Sequence, residues 1–252
     1  GELHGNVVEP ISDIRKELWA SLDAPIDSAP LCRRVTPGST VALVVSDMSR
    51  FWMRQDLVIP HLVDYLTQRC GVRERDITIV IANGTHTGGD EAELRTLVTD
   101  AVYDRITVEN HNCESEDLVY LGTTPHGTPV SINRTAALAD MVICLGAATH
   151  HVMAGFGGGR KSILPGISGR ETIFHNHAFS LDAAALRSNP AVGNGILQGN
   201  PLHEDMCEAA GLVKNLFMVN LVMNTQMRLA AIFSGHYLTS WEQACRTVNR
   251  LY

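Results

Sequence analysis

Three short runs of apolar, largely β-branched residues restrict this chain most: Thr40–Val45 (TVALVV), Asp76–Ile81 (DITIVI) and Met141–Leu145 (MVICL). Each has the length of a strand and almost no polar alternation. Such a strand is buried on both faces, so its sheet must be covered by helices on both sides. Amphipathic stretches lie between the runs. Pro60–Arg69 places Leu62, Val63 and Leu66 on one side, and Glu91–Val98 forms a second helix. This alternation predicts an α/β fold with a mixed, largely parallel sheet and helices on both faces. Short strands are expected at Ile106–Glu109, Leu118–Leu121 and Thr128–Ile132. A helix follows at Glu204–Ala210, then a hairpin pair at Phe217–Met223 and Leu229–Phe233, and a last helix from Thr239 to Arg250. The opening segment, 1–37, reads as an N-terminal arm carrying Pro10, Pro25 and Pro30 and one helix, Ile11–Ser21, capped by Ser12 or Asp13. With no internal repeat, the chain reads as a single α/β domain over 1–252.

Composition narrows the function. The 252 residues are 45% hydrophobic and carry a net charge of −7. A chain this long buries a core without disulfide staples. The negative balance argues against a nucleic-acid partner, which calls for a basic face. No apolar run reaches about 18 residues, so no membrane span is expected. The N-terminus lacks the pattern of a signal peptide. Six scattered cysteines with no CxxC pair read as free thiols in a reducing, cytoplasmic setting.

Polar residues gather just after the strand runs: Ser46 to Arg50, Asn83 to Thr87, and Thr149 to His151. Open α/β sheets bind ligands beyond the carboxyl ends of their strands, so these three ends are expected to share one crevice. Arg50 offers a planar fork suited to a carboxylate or phosphate. His86, in the turn Asn83-Gly84-Thr85-His86-Thr87, suits a general base. Of His150 and His151, adjacent at a strand end, one should face the crevice and the other serve the structure.

The stretch from Gly155 to Gly169 (GFGGGRKSILPGISG) has six glycines in 15 residues, beside Arg160 and Lys161. Glycines let backbone N–H groups approach an anion, and the two cations supply charge, which points to phosphate or nucleotide contact. It is not a P-loop, because Arg160 stands where glycine must precede the lysine. Downstream, Glu171 to His177 reads as a helix. His175 and His177, two apart, point in opposed directions and cannot share one metal. A three-histidine zinc site from His86, His151 and His177 is a second reading.

These residues together resemble the nickel-dependent lactate racemase family. The resemblance rests on His151 through GGRK, ILPGI, ETI and the Asn176-His177 pair, with the aspartate-x-x-arginine of Asp47–Arg50 and the GTH turn of Gly84–His86 upstream. It spans about residues 10 to 235. It implies the cofactor-bearing N-terminal domain of a racemase or epimerase acting on a small 2-hydroxy acid by reversible hydride transfer. The cofactor implied is a covalently attached nickel-pincer nucleotide, a pyridinium dithio-mononucleotide holding nickel, supplied by maturation enzymes. By position, Lys161 is its covalent anchor and His177 the nickel ligand. Asp47, Gly158, Gly159 and Arg160 border the cofactor. His86 and His151 take turns as acid and base, and Arg50 holds the substrate carboxylate. The family's second domain is expected to lie outside this chain. Met48-Ser49 and Phe51-Trp52 depart from the family's usual T-R-P neighbourhood after the aspartate, and the bulky Phe51-Trp52 bears on substrate choice. Two rival classes remain at this stage: a zinc-dependent hydrolase using the histidines, and a non-catalytic nucleotide-binding module.

Overall fold

A computed structural model describes residues 8–252. Ten strands and six helices position the site. The strands are β1 (Val41–Ser46), β2 (Ile77–Ala82), β3 (Thr107–Asn110), β4 (Val119–Thr123), β5 (Pro129–Ile132), β6 (Met141–Ala147), β7 (His150–His151), β8 (Ala154–Phe156), β9 (Leu216–Met223) and β10 (Leu229–Gly235). The helices are α1 (Ile14–Asp23), α2 (Ile59–Asp64), α3 (Glu91–Val98), α4 (Arg170–Ala178), α5 (Pro201–Gly211) and α6 (Thr239–Leu251). Shorter turns of helix and two-residue strands join them.

The main sheet runs in the order β10-β9-β6-β1-β2-β3. Its first five members from β3 to β9 pair in parallel, and only β10 is antiparallel, as the return strand of a hairpin with β9. The mixed, largely parallel sheet is therefore the one its apolar runs call for. The strand expected at 118–121 and its successor do not join it. They form a separate antiparallel hairpin, β4–β5, since Val119 and Tyr120 leave β4 half-exposed and unsuited to a doubly covered sheet.

Side chains alternate between two cores. Val41, Leu43 and Val45 of β1, with Ile77, Ile79 and Ile81 of β2 and Met141, Ile143 and Leu145 of β6, pack under α1, α2 and α3. The intervening Ala42, Val44, Val80, Val142 and Cys144 pack under α4 and α5. This period of two, with both sets buried, is why the runs look continuous in sequence. A third cluster joins Trp241, Ala244, Cys245 and Val248 of α6 to Phe156 and Val222.

The opening segment is folded onto the sheet from residue 8 on; residues 1–7 of the expected arm lie outside the described residues. Its helix is α1, capped by Asp13, whose carboxylate accepts from the Lys16 amide at 2.9 Å. Leu18, Leu22, Leu31 and Val35 have no exposed surface. Ile26 donates to Ser234 O and accepts from the His236 amide, pinning the segment to β10. All six cysteines are free. Among the described residues, no helix is long and apolar enough to cross a membrane.

Truncating Leu18 to alanine is expected to cost about 2–5 kcal/mol of stability, the range for opening a cavity at a fully buried leucine. Chemical denaturation measures it. A loss under about 0.5 kcal/mol, the range of surface changes, would mean the segment only rests on the surface.

Candidate active site

The chain turns back at β1. It builds β2 and β3 on one side, then crosses to β6 on the other. The carboxyl ends of β1 and β6 therefore flank a topological switch point, where sheets of this kind leave a crevice. A cavity of about 360 Å³ lies there, within the range of small-ligand sites. Asp47, Arg50, His86, His151, Lys161 and His177 all line it. Six residues spread over 131 positions of sequence are thus brought together by three strand ends, the glycine-rich loop and one helix.

The turn after β2 presents His86, with its side chain about half exposed. Its Nδ1 lies 2.5 Å from Asp47 Oδ2. A carboxylate only accepts, so Nδ1 carries the proton and the neutral ring keeps its lone pair on Nε2. Asp47, largely buried, has both oxygens in use: Oδ1 accepts from Ser49 Oγ at 2.6 Å. Its position orients His86, and the carboxylate also lines the cavity.

His151 is held the opposite way round. Its Nδ1 accepts the backbone N–H groups of Met153 and Ala154 at 3.2 and 3.1 Å, within the tight β7–β8 turn. The neutral ring must then carry its proton on Nε2, which lies 3.2 Å from Lys161 Nζ. That contact is a hydrogen bond only if the amine accepts, that is, if Lys161 is neutral. The surroundings favour this. Burial, then the nearby Arg160 and Arg50, push the Lys161 amine down to about 7. Burial, then Lys161, Arg160, Arg50 and His177, push His151 down to about 4. Neighbouring His150 turns away, its Nε2 2.9 Å from Asn249 Oδ1 and its ring tilted against Phe156.

On α4, His177 faces the cavity and His175 faces solvent. His177 Nδ1 donates to Ile173 O at 2.9 Å, one turn back. Its Nε2 lone pair is left open, the tautomer a metal requires. Burial lowers its proton affinity, which keeps the ring neutral at pH 7.

The glycine-rich loop works differently from its sequence reading. Gly158 borders the cavity, but Gly159 and Arg160 do not. A Cβ on Gly158 would lie 2.6 Å from Ala147 O, and one on Gly159 would overlap the Trp241 ring; both glycines have positive φ. Here close packing, not an anion, demands glycine. Arg160 is 1% exposed and points inward. It donates to Ala154 O at 2.6 Å, Phe156 O at 2.8 Å and His203 Nδ1 at 3.2 Å, and stacks 3.9 Å from the Trp241 ring centroid. Its charge fixes the loop rather than meeting a ligand. Trp241 itself donates from Nε1 to Gly157 O at 2.8 Å.

Sequence reading passed over Trp241 and His203 because they lie 43 to 81 residues from Arg160 with no local pattern linking them. It also missed Phe174, half exposed on α4 at the cavity wall. Of the aromatic pair, Trp52 lines the cavity, while Phe51 packs against the core. The histidines do not form a ready zinc triad. Among the described residues, the only three-residue grouping of His, Cys, Asp and Glu with ligand atoms within 4.8 Å is His126, Asp205 and Glu208, elsewhere in the fold. Asp205 there is already taken by Thr124, Thr128 and Asn176.

Comparison with known proteins bears on this arrangement. The family described as "Lactate racemase N-terminal domain" matches residues 1–188. The lactate racemase of Thermoanaerobacterium thermosaccharolyticum is 29% identical over 232 residues, covering 92% of this chain and 53% of that protein. The lactate racemase of Lactiplantibacillus plantarum is 30% identical over 232 residues with the same coverage. The structure of the lactate racemase apoprotein from T. thermosaccharolyticum superposes with a TM-score of 0.86 at 27% identity, covering 98% of this chain and 58% of that one. A Thermotoga maritima protein shares the fold, with a TM-score of 0.75 at 21% identity over 98% of this chain and 61% of that one. The chain spans about half the length of the curated relatives it matches.

The state of the Lys161 amine can be read directly, because the chain has only two other lysines, Lys16 and Lys214, to serve as internal references. In competitive acetylation with trace acetic anhydride, Lys161 is expected to outcompete both at pH 7. Its labelling should rise with a midpoint near pH 7 and fall about tenfold per unit below it, as the amine is protonated. A midpoint near 10, the ordinary lysine value, would show that the amine is charged at neutral pH.

Proposed function

The chain belongs to the lactate racemase family, and from that premise we propose that it is the cofactor-bearing part of a racemase or epimerase of small 2-hydroxy acids. The observation that carries this reading is the meeting, in one cavity, of a buried lysine with a lowered proton affinity, a histidine with an open Nε2, an arginine to anchor a carboxylate and two further histidines of opposite tautomer. The residues fit a tethered nickel-pincer nucleotide. Lys161 would attach it through its amine, His177 Nε2 would ligate the nickel, and Gly158 would border it. Asp47, at the cavity wall, would border it while orienting His86, and Gly159 and Arg160 serve the site indirectly, through the loop. When bound, the group would supply a reversible hydride acceptor beside the substrate α-carbon.

The protein's own residues handle the carboxylate and the proton. Arg50 holds the carboxylate by its guanidinium fork. His86 Nε2 takes the hydroxyl proton as the α-hydride leaves, which gives a planar keto acid and an imidazolium stabilised by Asp47. Asp47 thus plays the orienting part that a carboxylate plays beside a catalytic histidine. Return of the hydride to the other face places the oxygen toward His151. There the Nε2–H is a donor, as a neutral imidazole can be when its pKa is held low. Full proton transfer from that Nε2 would leave an imidazolate. For His151 to take its turn as acid and base, Nδ1 must therefore exchange its two backbone donors for a proton.

The test is protein produced alongside the cofactor maturation enzymes. Intact mass is expected to show an adduct on the order of several hundred daltons, the scale of a mononucleotide, lost in Lys161→Arg. Bound nickel should disappear in His177→Ala and persist in His175→Ala. Chiral chromatography should show interconversion of lactate enantiomers or of another 2-hydroxy acid, lowered about 10²–10⁴-fold by His86→Ala or His151→Ala with the adduct in place. Absence of adduct and nickel in the unaltered protein would sink the reading. Zinc in their stead would favour a hydrolase.

A further inference from the structure

A hydroxyl joins the carboxylate anchor to the base. Arg50 Nη1 donates to Ser49 Oγ at 2.7 Å, and Ser49 Oγ donates to Asp47 Oδ1 at 2.6 Å. His86 Nδ1 donates to the other oxygen, Oδ2, at 2.5 Å. Every direction is fixed by chemistry. A guanidinium only donates and a carboxylate only accepts, so the single hydroxyl hydrogen of Ser49 goes to Asp47 and its lone pair receives Arg50. The backbone reinforces the chain, with the Arg50 amide donating to Asp47 O at 3.0 Å.

Arg50 is exposed at the cavity mouth, and among the described residues Ser49 is the one hydrogen-bond partner of its guanidinium. Without that bond the long side chain would sample many rotamers. With it, the guanidinium and the His86 imidazole are both tied to the two oxygens of one largely buried carboxylate. Their spacing is then set by rigid groups.

We propose that Ser49 is a positioning residue that fixes Arg50 relative to His86, and so selects acids whose hydroxyl lies on the carbon next to the carboxylate. This rests on the racemase reading above. In a 2-hydroxy acid the carboxylate carbon and the hydroxyl-bearing carbon are one bond apart. Each inserted methylene moves the hydroxyl by about 1.5 Å, a carbon–carbon bond length. That exceeds the spread of a hydrogen bond to a base, about 2.6–3.2 Å, so a fixed anchor rejects the longer acid. A loose anchor follows the substrate and loses this discrimination.

Two measurements test it, on Ser49→Ala and Ser49→Thr, the latter keeping the hydroxyl. The first uses the protein without cofactor. Rotation of the Arg50 guanidinium, followed by side-chain ¹⁵N NMR and assigned with Arg50→Lys, should be hindered in the unaltered protein and in Ser49→Thr, and fast in Ser49→Ala. The second uses the cofactor-loaded, full-length enzyme. Ser49→Ala should raise KM for the 2-hydroxy acid about tenfold, the loss of one anchoring hydrogen bond. It should also let 3-hydroxybutyrate compete, while Ser49→Thr keeps the rejection. A freely rotating Arg50 in the unaltered protein, or an active enzyme in which Ser49→Ala changes neither KM nor rejection, overturns the inference alone. An unaltered loaded enzyme that racemises no 2-hydroxy acid overturns the functional reading, and with it the selectivity assigned to Ser49.

Discussion

The site depends on a buried guanidinium. Arg160 sits in the interior, satisfied by two backbone carbonyls, a histidine nitrogen and a tryptophan face rather than by a carboxylate. Burying a charge this way is costly unless its donors are used, and here the Nε and both terminal nitrogens are. The carbonyls it grips, Ala154 O and Phe156 O, belong to β8, and its own backbone leads directly into Lys161. Burial and Arg160 push His203 down to about 3, so that ring stays a neutral acceptor. One interaction thus fixes the turn that shapes His151, the loop that carries Lys161, and the docking of α6 through Trp241.

From that fixed loop follows an asymmetry between the two histidines. Asp47 makes His86 present a lone pair, whereas the amides of Met153 and Ala154 make His151 present an N–H. At rest the cavity thus offers one ring acceptor and one ring donor on different walls. The same turn that gives His151 its Nε2–H also sets that donor 3.2 Å from the Lys161 amine, whose proton affinity burial, Arg160 and Arg50 lower.

Much of this was legible in the sequence. The β-branched runs named β1, β2 and β6, and the polar residues after them named the crevice. The opposed directions of His175 and His177 on one helix implied that only one faces the site, and the family resemblance pointed to His177. The adjacency of His150 and His151 implied that only one would face inward. Other parts were illegible for physical reasons. The glycines and Arg160 advertise an anion site, but what a Cβ would strike, and where a guanidinium turns, depends on Trp241 and His203 far along the chain. That Asp47 also orients His86 through a hydrogen bond shows only once the turn after β2 is seen beside the end of β1. The β4–β5 hairpin reads as sheet strands, because pairing partners are a tertiary choice that local periodicity does not encode.

The account turns on the resting tautomers of two rings, which ¹⁵N NMR of selectively labelled histidines reports at each nitrogen. At pH 7, with assignments from His86→Ala and His151→Ala, the neutral form of His86 is expected to carry its proton on Nδ1. His151 is expected to be neutral with its proton on Nε2. A cationic His151 at that pH, or the same tautomer at both rings, would contradict it.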